Sequence, residues 1–585
     1  MAITPNSEVH FLNVPLENNY KNQIYFPKDG KSIQTNYMKN HVAKNTKTGE
    51  DLSYYDLTYV RKDNVLKVPT HIDELYSANY VMYKNTAYSD RWFYAFITNM
   101  RYVNDGLTEV AIETDVWQTW FDKITIKDSF VEREHVPKSK DIIGAYRQDE
   151  ELETGDYIVH DVYTPPQLIE DLNKWGVVIS TTMSPTDNHV AGIYNGIVSG
   201  TKYYIFDTSL YYGEDIQSEA DKLERMESDI SSFIARITEN SDIDGITGVF
   251  IVPRFLYEQN VNIDTFLYNN NSVFSCYIMN SYEARKVNDI YAYAPSSLNG
   301  YTPRNKKLMT FPYRQLFVSN NNGGSAVYNY EDFITYEDFL PFSLEGAITP
   351  GCSIRLVPKG YLTGTDKENN EHGINLGKFP ICNYSVDMYT HWITQNAGHV
   401  ALDLAQGMYN LASSSIGSLH YNHHQNVTRT NKNIYVNESI SKDFNQSTDN
   451  LGRMGGSMFD IARTIEKTHV ASIQPYQARG NLNSGDVTFS AGRNTFTFYH
   501  MCIREEFAKI IDSFFDMFGY KINQVKTPNF SSRSRWNYIK TNNVNLDGNV
   551  PQDDLRTIRL MFDNGVTFWK HTATIEDYSN PETNV

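Results

Sequence analysis

The stretch RWFYAFITNMRYVNDGLTEVAIETDVWQTW, residues 91–120, decides the fold class. Two runs rich in aromatic and β-branched residues, 91–103 and 107–120, flank an Asn-Asp-Gly sequence at 104–106. Runs of this kind around such a turn indicate an antiparallel β-hairpin. The rest of the chain has a similar composition, since its 585 residues include 42 Tyr and 30 Phe. These residues favour strands and turns over helices.

Two segments have the apolar spacing of helices instead. They are EDIQSEADKLERMESDISSFIARITEN (214–240) and IREEFAKIIDSFFDMF (503–518), and Gly519 follows the second as a suitable C′ residue. We interpret both apolar stripes as core-facing; they consist of Ile216, Ala220, Leu223, Ile230, Phe233, Ile234 and Ile237, and of Ile503, Phe507, Ile510, Ile511, Phe514 and Phe518. The C-terminal region is predicted to return to strands, with a hairpin turn at DNGV (563–566). We therefore predict a mixed fold, predominantly antiparallel β with a few packed helices.

The overall charge argues against a protein that grips nucleic acid through a basic surface. The chain has 52 Lys and Arg against 70 Asp and Glu, a formal net charge of -18. Its four cysteines, at 276, 352, 382 and 502, are widely spaced and form no C-x-x-C, which favours a reducing compartment over a disulfide scaffold or a zinc site. The N-terminal sequence lacks the features of a signal peptide, so we expect synthesis in a cytosol without secretion.

The segment 396–473 differs from the chain around it. Its first part, NAGHVALDLAQGMYNLASSSIGSLHY (396–421), is rich in Gly, Ala and Ser; a polar tip follows at 422–450, and a second small-residue part at 451–473. Six basic and six acidic residues leave this segment formally neutral. Small residues four positions apart in its first part allow helices to approach closely. We interpret the segment as two helix-capable arms inserted into a β domain, or alternatively as an ordinary helical hairpin that packs on its own subunit.

Motifs of catalysis and metal binding are weak in this sequence. FPKDGKS (26–32) ends like a phosphate-binding loop, but the first glycine of that motif is absent and no periodic helix is predicted after it. His420, His423 and His424 have no cysteine or carboxylate at ligand spacing, and the acidic run 148–156 is typical of a solvated loop. We therefore predict no catalytic residues, no metal, no cofactor and no enzymatic activity.

Several irregular strings recur in one known family. They are FLNVPLENNYKNQIYF (11–26), IETDVWQTW (112–120), SFVEREHV (129–136), LNGYTPRNKKLMTFPYRQLFVSN (298–320), HWITQN (391–396), FFDMFGYKINQVKTPN (514–529) and RWNYIKT (535–541). With them the chain resembles, from about residue 11 to 571, the tail knob or distal tail tube proteins of small short-tailed phages of the phi29 type.

This resemblance implies a structural virion protein at the distal end of the tail. It implies a homohexameric tube with β walls, through which viral double-stranded DNA passes without sequence-specific binding. It also implies inserted loops that close the tube and are later released to penetrate the host membrane, and the segment 396–473 lies where such a loop belongs. The implied partners are the proximal tail or lower collar protein, the host membrane and a tail-tip protein that degrades cell wall. The rival functions are a peripheral receptor-binding appendage and a cell-wall-degrading tail enzyme.

The sequence further predicts a division into segments and a set of loop residues. The segments are an N-terminal β tube domain (1–135), an α+β domain with a helix near 215–238 (136–295), a β tube domain (296–395), the inserted loop (396–473) and a C-terminal α+β part that completes the tube (474–585). The apolar residues expected to form the plug and contact the membrane are Val400, Leu404, Met408, Leu411, Leu419, Met454, Met458, Phe459, Ile461 and Ile465. The glycines expected to act as hinges are Gly398, Gly407, Gly417, Gly455 and Gly456.

Overall fold

The computed structural model describes residues 6–57, 59–60, 64–85, 91–168, 174–182, 192–194, 197–199, 201–212, 218–240, 246–258, 262–268, 271–279, 281–282, 285–321, 323–335, 339–346, 348, 354–376, 381–383, 481–482 and 495–581. The α-helices with described bounds are α1 (Lys31–Lys39), α2 (Val116–Trp120), α3 (Glu219–Asn240), α4 (Glu505–Phe518) and α5 (Gln552–Asn564). The strands, in chain order, are β1 (Ser7–Leu12), β2 (Asn22–Ile24), β3 (Ser53–Tyr55), β4 (Tyr59–Val60), β5 (Val65–Val68), β6 (Tyr80–Asn85), β7 (Phe93–Asn104), β8 (Leu107–Thr114), β9 (Ile124–Ile126), β10 (Ser129–Glu134), β11 (Tyr157–Tyr163), β12 (Trp175–Thr181), β13 (Gly192–Tyr194), β14 (Ile197–Ser199), β15 (Lys202–Phe206), β16 (Ile246–Pro253), β17 (Asn262–Tyr268), β18 (Asn271–Met279), β19 (Ser281–Tyr282), β20 (Arg285–Tyr293), β21 (Arg314–Ser319), β22 (Ser325–Tyr328), β23 (Phe339–Gly346), β24 (Ile354–Pro358), β25 (Ile374–Leu376), β26 (Ile381–Asn383), β27 (Asn481–Leu482), β28 (Thr497–Ile503), β29 (Tyr520–Lys526), β30 (Trp536–Asn542), β31 (Leu546–Gly548) and β32 (Val566–Trp569).

Nearly all of these strands pair antiparallel. Within the described residues, only β2 with β32 and β13 with β19 pair in parallel. The predicted fold class, predominantly antiparallel β with a few helices, is therefore confirmed.

The chain divides into two compact units. Unit 1 contains Met1–Thr154, Tyr301–Met309 and Glu505–Val585, and unit 2 contains Gly155–Gly300 and Thr310–Arg504. Both units are assembled from segments that are distant in sequence. The finer division of the chain into five segments stays a prediction.

Unit 1 is built on a seven-stranded sheet, a five-stranded sheet and a two-stranded ribbon. Their strand orders are β3-β1-β6-β7-β8-β5-β4, β2-β32-β30-β10-β29 and β31-β9. Strands β7 and β8 form the predicted hairpin around 105–106. The second run ends earlier than predicted, because Asp115 caps helix α2 by accepting a hydrogen bond from the Gln118 amide at 3.0 Å. The segment 116–120 is therefore a helix rather than the end of a strand.

The helices of unit 1 correct two expectations. Helix α4 is present as predicted, but Ile510 is 67% exposed, whereas Asp512, two residues further on, is completely buried. The turn predicted at 563–566 is wrong, because α5 runs through Asn564 and ends at Gly565, whose φ is 90°. The apolar residues of α5 that face the core share helical spacing and are Leu555, Ile558, Met561 and Phe562.

Gly519 ends α4 where only glycine fits. Its φ is 66°, and a Cβ at this position would collide with the backbone carbonyl of Glu134. The glycine therefore supplies both the left-handed conformation and the close approach of α4 to β10.

Unit 2 is built on four sheets and one long helix. The strand orders are β17-β18-β15-β12-β16-β26-β27, β11-β28-β21-β22, β20-β23-β24-β25 and β14-β13-β19. Helix α3 packs against β18. Four residues of its predicted stripe are buried, namely Ile230, Phe233, Ile234 and Ile237. Ile216 and the side chains of Ala220 and Leu223 lie outside the described part of the chain.

Candidate assembly surfaces

The β7–β8 hairpin extends beyond the sheet that holds its base. Strand β6 pairs with β7 only over Phe93–Phe96, whereas β8 pairs with it as far as Asn104. From Thr98 to Asn104 every side chain except the partly buried Met100 is exposed. Within the described residues, this part of β7 therefore has one strand edge without a partner.

An unpaired strand edge presents backbone N–H and C=O groups that another strand can use. The hairpin carries little net charge that would repel a neighbouring chain, because Arg101 lies opposite Glu109 in the ladder and their charges offset each other. Tyr102 is 49% exposed, and its hydroxyl donates to Asp105 at 2.6 Å. This hairpin is well suited to pair with a strand of another chain.

Unit 1 also contains an apolar cleft of about 260 Å³. Its floor is formed by the buried side chains of Phe26, Trp117, Phe121 and Ile124. Phe530 closes one side, because its ring stacks on Tyr25 at 5.7 Å and lies 6.3 Å from Trp117. The cleft is thus lined by preformed aromatic surface that contacts solvent.

One charged residue, Lys28, lines this cleft. Its ammonium donates to the hydroxyl of Thr125 at 3.0 Å, so it faces a neutral acceptor. The ammonium of Lys570 lies 6.0 Å from the ring of Tyr25. Burial, and in smaller part the nearby carboxylate of Asp29, raises the pKa of Tyr25. The cleft therefore combines an apolar floor with a rim that carries both signs of charge.

A buried polar cluster fixes helix α4 in unit 1. The carboxylate of Asp512 accepts hydrogen bonds from the Tyr301 hydroxyl at 2.7 Å, from the Arg304 amide at 2.8 Å and from the Asn305 amide at 3.1 Å. One turn later, Asp516 accepts from Arg304 Nε at 2.7 Å. Two acids four residues apart thereby attach the short segment Tyr301–Met309 to the helix.

The acidic run 148–156 is only partly the solvated loop that we expected. Glu150 is buried, and its carboxylate pairs with Arg133 and Lys307 and accepts from the Lys521 amide at 2.9 Å. A buried carboxylate is tolerated because cations and an amide replace the lost water. The correction comes from tertiary partners that the local sequence does not reveal.

Two buried groups of unit 1 have strongly shifted pKa values. Burial raises the pKa of Asp115 to about 7, although the Gln118 amide and the Tyr80 hydroxyl favour its charged form. Burial lowers the pKa of His135 to about 3, and Arg533 acts in the same direction. Neither residue lines the apolar cleft, so these shifts concern the stability of unit 1.

The residues predicted to form the plug and its hinges lie outside the described residues. These are Val400, Leu404, Met408, Leu411, Leu419, Met454, Met458, Phe459, Ile461 and Ile465, with Gly398, Gly407, Gly417, Gly455 and Gly456. His420, His423 and His424 lie there too. Their assignments stay predictions.

In the described part of the chain, the side chains that resemble reactive or binding groups have structural roles. Helix α1 does follow the sequence at 26–32, contrary to our expectation, but the Lys31 ammonium is held by Asp122 at 3.0 Å. Burial raises the pKa of the Cys502 thiol to about 11, which opposes its ionisation. No group of three or more metal-ligating side chains occurs among the described residues. None of the helices in that part is long and apolar enough to cross a membrane.

Local sequence contains partial signals for the surfaces that we did not predict. Tyr25 and Trp117 lie in strings that the chain shares with the family it resembles, and Phe530 directly follows another, but nothing local indicates that the three meet across one cleft. The pair Asp512 and Asp516 was readable as two acids on one helical face. The stripe that we predicted for this helix included Ile510, which is exposed, and omitted the two buried acids.

Comparison with known proteins gives matches over both ends of the chain. A family model described as the C-terminal domain of the tail knob protein gp9 of Bacillus phage phi29 matches residues 276–582. Another, described as the N-terminus of the caudoviral major tail protein, matches residues 5–125.

Relatives of similar length match almost the whole chain. The tail knob protein gp9 of Bacillus phage phi29 is 23% identical over an alignment of 633 residues including gaps. The alignment covers 97% of this chain and 96% of the relative. That of Bacillus phage B103 is 24% identical over 644 residues, 97% of each chain. The solved tail knob protein gp12 of bacteriophage C1 shares the fold, with a TM-score of 0.60 at 14% identity over 98% of each chain. These matches confirm the resemblance drawn from the sequence, and the chain belongs to the tail knob protein family of phi29-type phages, as a structural component of a phage tail.

Proposed function

We propose that six copies of this chain form the distal tube of the tail. The observation that carries this proposal is the edge of β7 between Thr98 and Asn104, for which the described part of the chain provides no strand partner. An exposed edge of this length is a liability in a monomer, since it templates association with other strands. Head-to-tail contacts that repeat around a closed rotation remove such edges.

The proposed tube is the conduit for DNA ejection. Unit 2 has 36 Asp and Glu against 22 Lys and Arg, whereas unit 1 has 34 against 30. A wall that is acidic or near neutral repels phosphate and offers few sites for ion pairing, so DNA slides along it. The chain therefore transports DNA without binding it.

The segment 396–473 is proposed to close the tube before infection. It is formally neutral, so six copies converge on one axis without mutual repulsion. On release, its apolar stripe is proposed to contact the host membrane. The proposed neighbours in the virion are a proximal tail protein and a tail-tip protein that degrades cell wall.

The chain is proposed to act without catalysis. The relatives are named as structural tail proteins. Purified protein should release no fragments from host cell wall under conditions where a known wall hydrolase does. A turnover that one carboxylate substitution abolishes would contradict this part of the proposal.

Imaging of assembled tails tests the hexamer. We expect sixfold rings with a central hole, and a distal element of any other symmetry would overturn the proposal. The role of the β7 edge is tested by the double substitution Tyr102→Lys and Val103→Lys, which adds charge to exposed positions of the edge. We expect it to reduce ring formation, while Ile510→Lys, at an exposed helical position, leaves ring formation unchanged.

Deletion of residues 400–470 tests the plug. We expect rings of normal symmetry with an open bore, and particles that lose DNA early or fail to infect. Deleted particles that keep their genome and infect normally would remove the plug role. A synthetic peptide of residues 396–421 should release dye from liposomes; if it does not, the membrane step fails while the plug still stands.

A further inference from the structure

Among the described residues of unit 2, the most exposed aromatic side chain is held on a base that is fixed by hydrogen bonds. Tyr212 is 83% exposed, whereas the adjacent Tyr211 is buried. The Tyr211 hydroxyl donates to Asp229 at 3.2 Å, and Asp229 also accepts from the Ser275 amide at 3.1 Å. The turn that carries Tyr212 is therefore attached to both α3 and β18.

The same turn is fixed on its other side. Asp207 accepts from the Ser209 amide at 2.8 Å and from the Tyr257 hydroxyl, and both Asp207 and Tyr257 are buried. Fixing the base in this way reduces the entropy lost when the exposed ring is bound. Preorganised tyrosines are common anchors of protein interfaces.

The sequence around Tyr212 is acidic. Gly-Glu-Asp follows it directly, and α3 begins with Glu219 and carries the exposed Asp221. Lys222 is the single cation between Tyr212 and Glu224. A site that accepts this ring should therefore offer an apolar floor with a cation at its rim.

The cleft of unit 1 has these properties. Its floor of Phe26, Trp117 and Phe121 suits an aromatic ring, because such rings pack edge-to-face or offset on one another. Lys28 at the rim donates to a hydroxyl and forms no ion pair within the described residues, so its charge is available to a carboxylate. The ammonium of Lys570 adds a second positive charge beside Tyr25, and the carboxylate of Asp29 offsets one of these two positive charges.

We infer that Tyr212 of a second copy of this chain inserts into this cleft. The inference rests on the proposed hexamer and names one of its contacts. The cleft and the anchor are different surfaces of one chain, so the contact is heterologous and repeats from copy to copy, as a ring requires.

Photo-crosslinking in assembled tails tests the contact. A benzoyl-phenylalanine replaces Tyr212, and isotopically labelled and unlabelled chains are mixed so that links between copies are recognised by mass. We expect links between copies to residues 25–28, 124–126 or 527–530. The control places the same group at Tyr76, which is 64% exposed in unit 1 and outside the cleft. Links from position 212 to other surfaces, or links within one copy alone, would overturn the inference.

Substitutions measure the strength of the contact. Tyr212→Ala should weaken association of copies by about tenfold or more, as truncation of a central aromatic anchor does. Thr125→Trp, at an exposed rim position, should block the cleft and act similarly without touching its buried floor. Tyr76→Ala serves as the matched control and should leave association unchanged. If both the Tyr212 and Thr125 variants associate normally, the inference is wrong.

These outcomes separate the contact from the hexamer. Sixfold rings with crosslinks outside the cleft would overturn only the contact. Tails whose distal element is not sixfold would overturn the proposed hexamer, whatever the crosslinks show. A link from position 212 to the cleft between copies in an assembly of another symmetry would support the contact and refute the hexamer.

Discussion

Among the described residues, close ion pairs with buried carboxylates distinguish unit 1 from unit 2, although tyrosine hydroxyls donate to buried acids in both, as to Asp115 and Asp512 in unit 1. In unit 1, Glu150 pairs with Arg133 and Lys307, and Asp516 pairs with Arg304. In unit 2, the buried carboxylates accept from tyrosine hydroxyls: Asp207 from Tyr257, Asp229 from Tyr211, and the partly buried Asp161 from Tyr293. Two of these acids also have an arginine nearby. Arg225 Nε lies 3.6 Å from the Asp229 carboxylate, and Arg254 Nε lies 3.6 Å from the Asp207 carboxylate.

The two units also differ in net charge. Unit 2 has an excess of 14 acidic over basic residues, against four in unit 1. For a protein proposed to surround DNA, that surplus of negative charge is useful.

The largest expected effect is that of removing the carboxylate of Asp512 in unit 1. Asp512→Ala leaves the Tyr301 hydroxyl and the amides of Arg304 and Asn305 without their buried acceptor. We expect the free energy of unfolding of unit 1 to fall by about 3–5 kcal/mol. Tryptophan fluorescence during guanidinium unfolding measures it, since five of the seven tryptophans lie in unit 1.

The control for this variant lies on the same helix. Glu505 pairs with Lys509 at 2.8 Å, and both side chains are about half exposed. Glu505→Ala should therefore change the free energy of unfolding by no more than about 0.5 kcal/mol. If Asp512→Ala is as mild as this control, the buried polar cluster around Asp512 does not stabilise unit 1.

The fold class was predictable because its signals are local. The hairpin at 91–114 follows from strand composition around an Asn-Asp-Gly turn, and α3 from apolar spacing. Helix α5 was also readable, since Asp553 and Asp554 lie in its first turn and Gly565 follows its end. We missed it because the sequence at 563–566 is compatible both with a hairpin turn and with a helix that ends at glycine.

The assembly surfaces were not predictable because they depend on distant contacts. The cleft brings Tyr25, Trp117 and Phe530 together from three separate parts of the chain. Glu150 is buried only because Lys307 and Arg133 come from other segments. Local composition describes which residues are apolar or acidic, but not which of them meet.

The pH dependence of unit 1 is the second prediction. The pKa of Asp115 is raised in the folded state from 3.8 to about 7. Its contribution to stability is therefore full below about pH 4 and is lost as the pH rises through about 7. We expect wild type to lose up to about 4 kcal/mol relative to Asp115→Asn between pH 4 and pH 7.

This comparison cancels the opposite effect of His135. The pKa of that imidazole is lowered from 6.5 to about 3, so its contribution is lost as the pH falls from about 6.5. It is present in both proteins and drops out of their difference. A difference in unfolding free energy that stays flat between pH 4 and pH 7, or rises, would show that Asp115 is ionised in the folded state.

The third prediction concerns Asp207 in unit 2. Asp207→Asn keeps an oxygen that accepts from the Ser209 amide or from the Tyr257 hydroxyl, but it loses the charge. We expect unit 2 to lose about 1–3 kcal/mol, less than unit 1 loses with Asp512→Ala. Hydrogen exchange in β12 and β16 reports the change. Asp366→Asn, at an exposed position, is the control and should stay within about 0.5 kcal/mol.

The smallest expected effects on stability concern the partners of Asp229. They show whether a tyrosine or an arginine contributes more to stabilising a buried acid of unit 2. Burial raises the pKa of Asp229, while the Ser275 amide, Arg225 and Tyr211 each favour its charged form. The Arg225 side chain is 54% exposed and its Nε lies 3.6 Å from the carboxylate, so Arg225→Ala should cost less than about 1 kcal/mol. Tyr211→Phe removes a buried hydroxyl donor and should cost about 1 kcal/mol or slightly more.

Hydrogen exchange of α3 and β18 measures both variants under the same conditions, with Tyr76→Phe in unit 1 as the control for loss of an exposed hydroxyl. Raising the salt concentration should reduce the cost of Arg225→Ala further, because screening already weakens an exposed ion pair, and should leave that of Tyr211→Phe unchanged. If Arg225→Ala costs more than Tyr211→Phe, the acids of unit 2 depend on cations as those of unit 1 do.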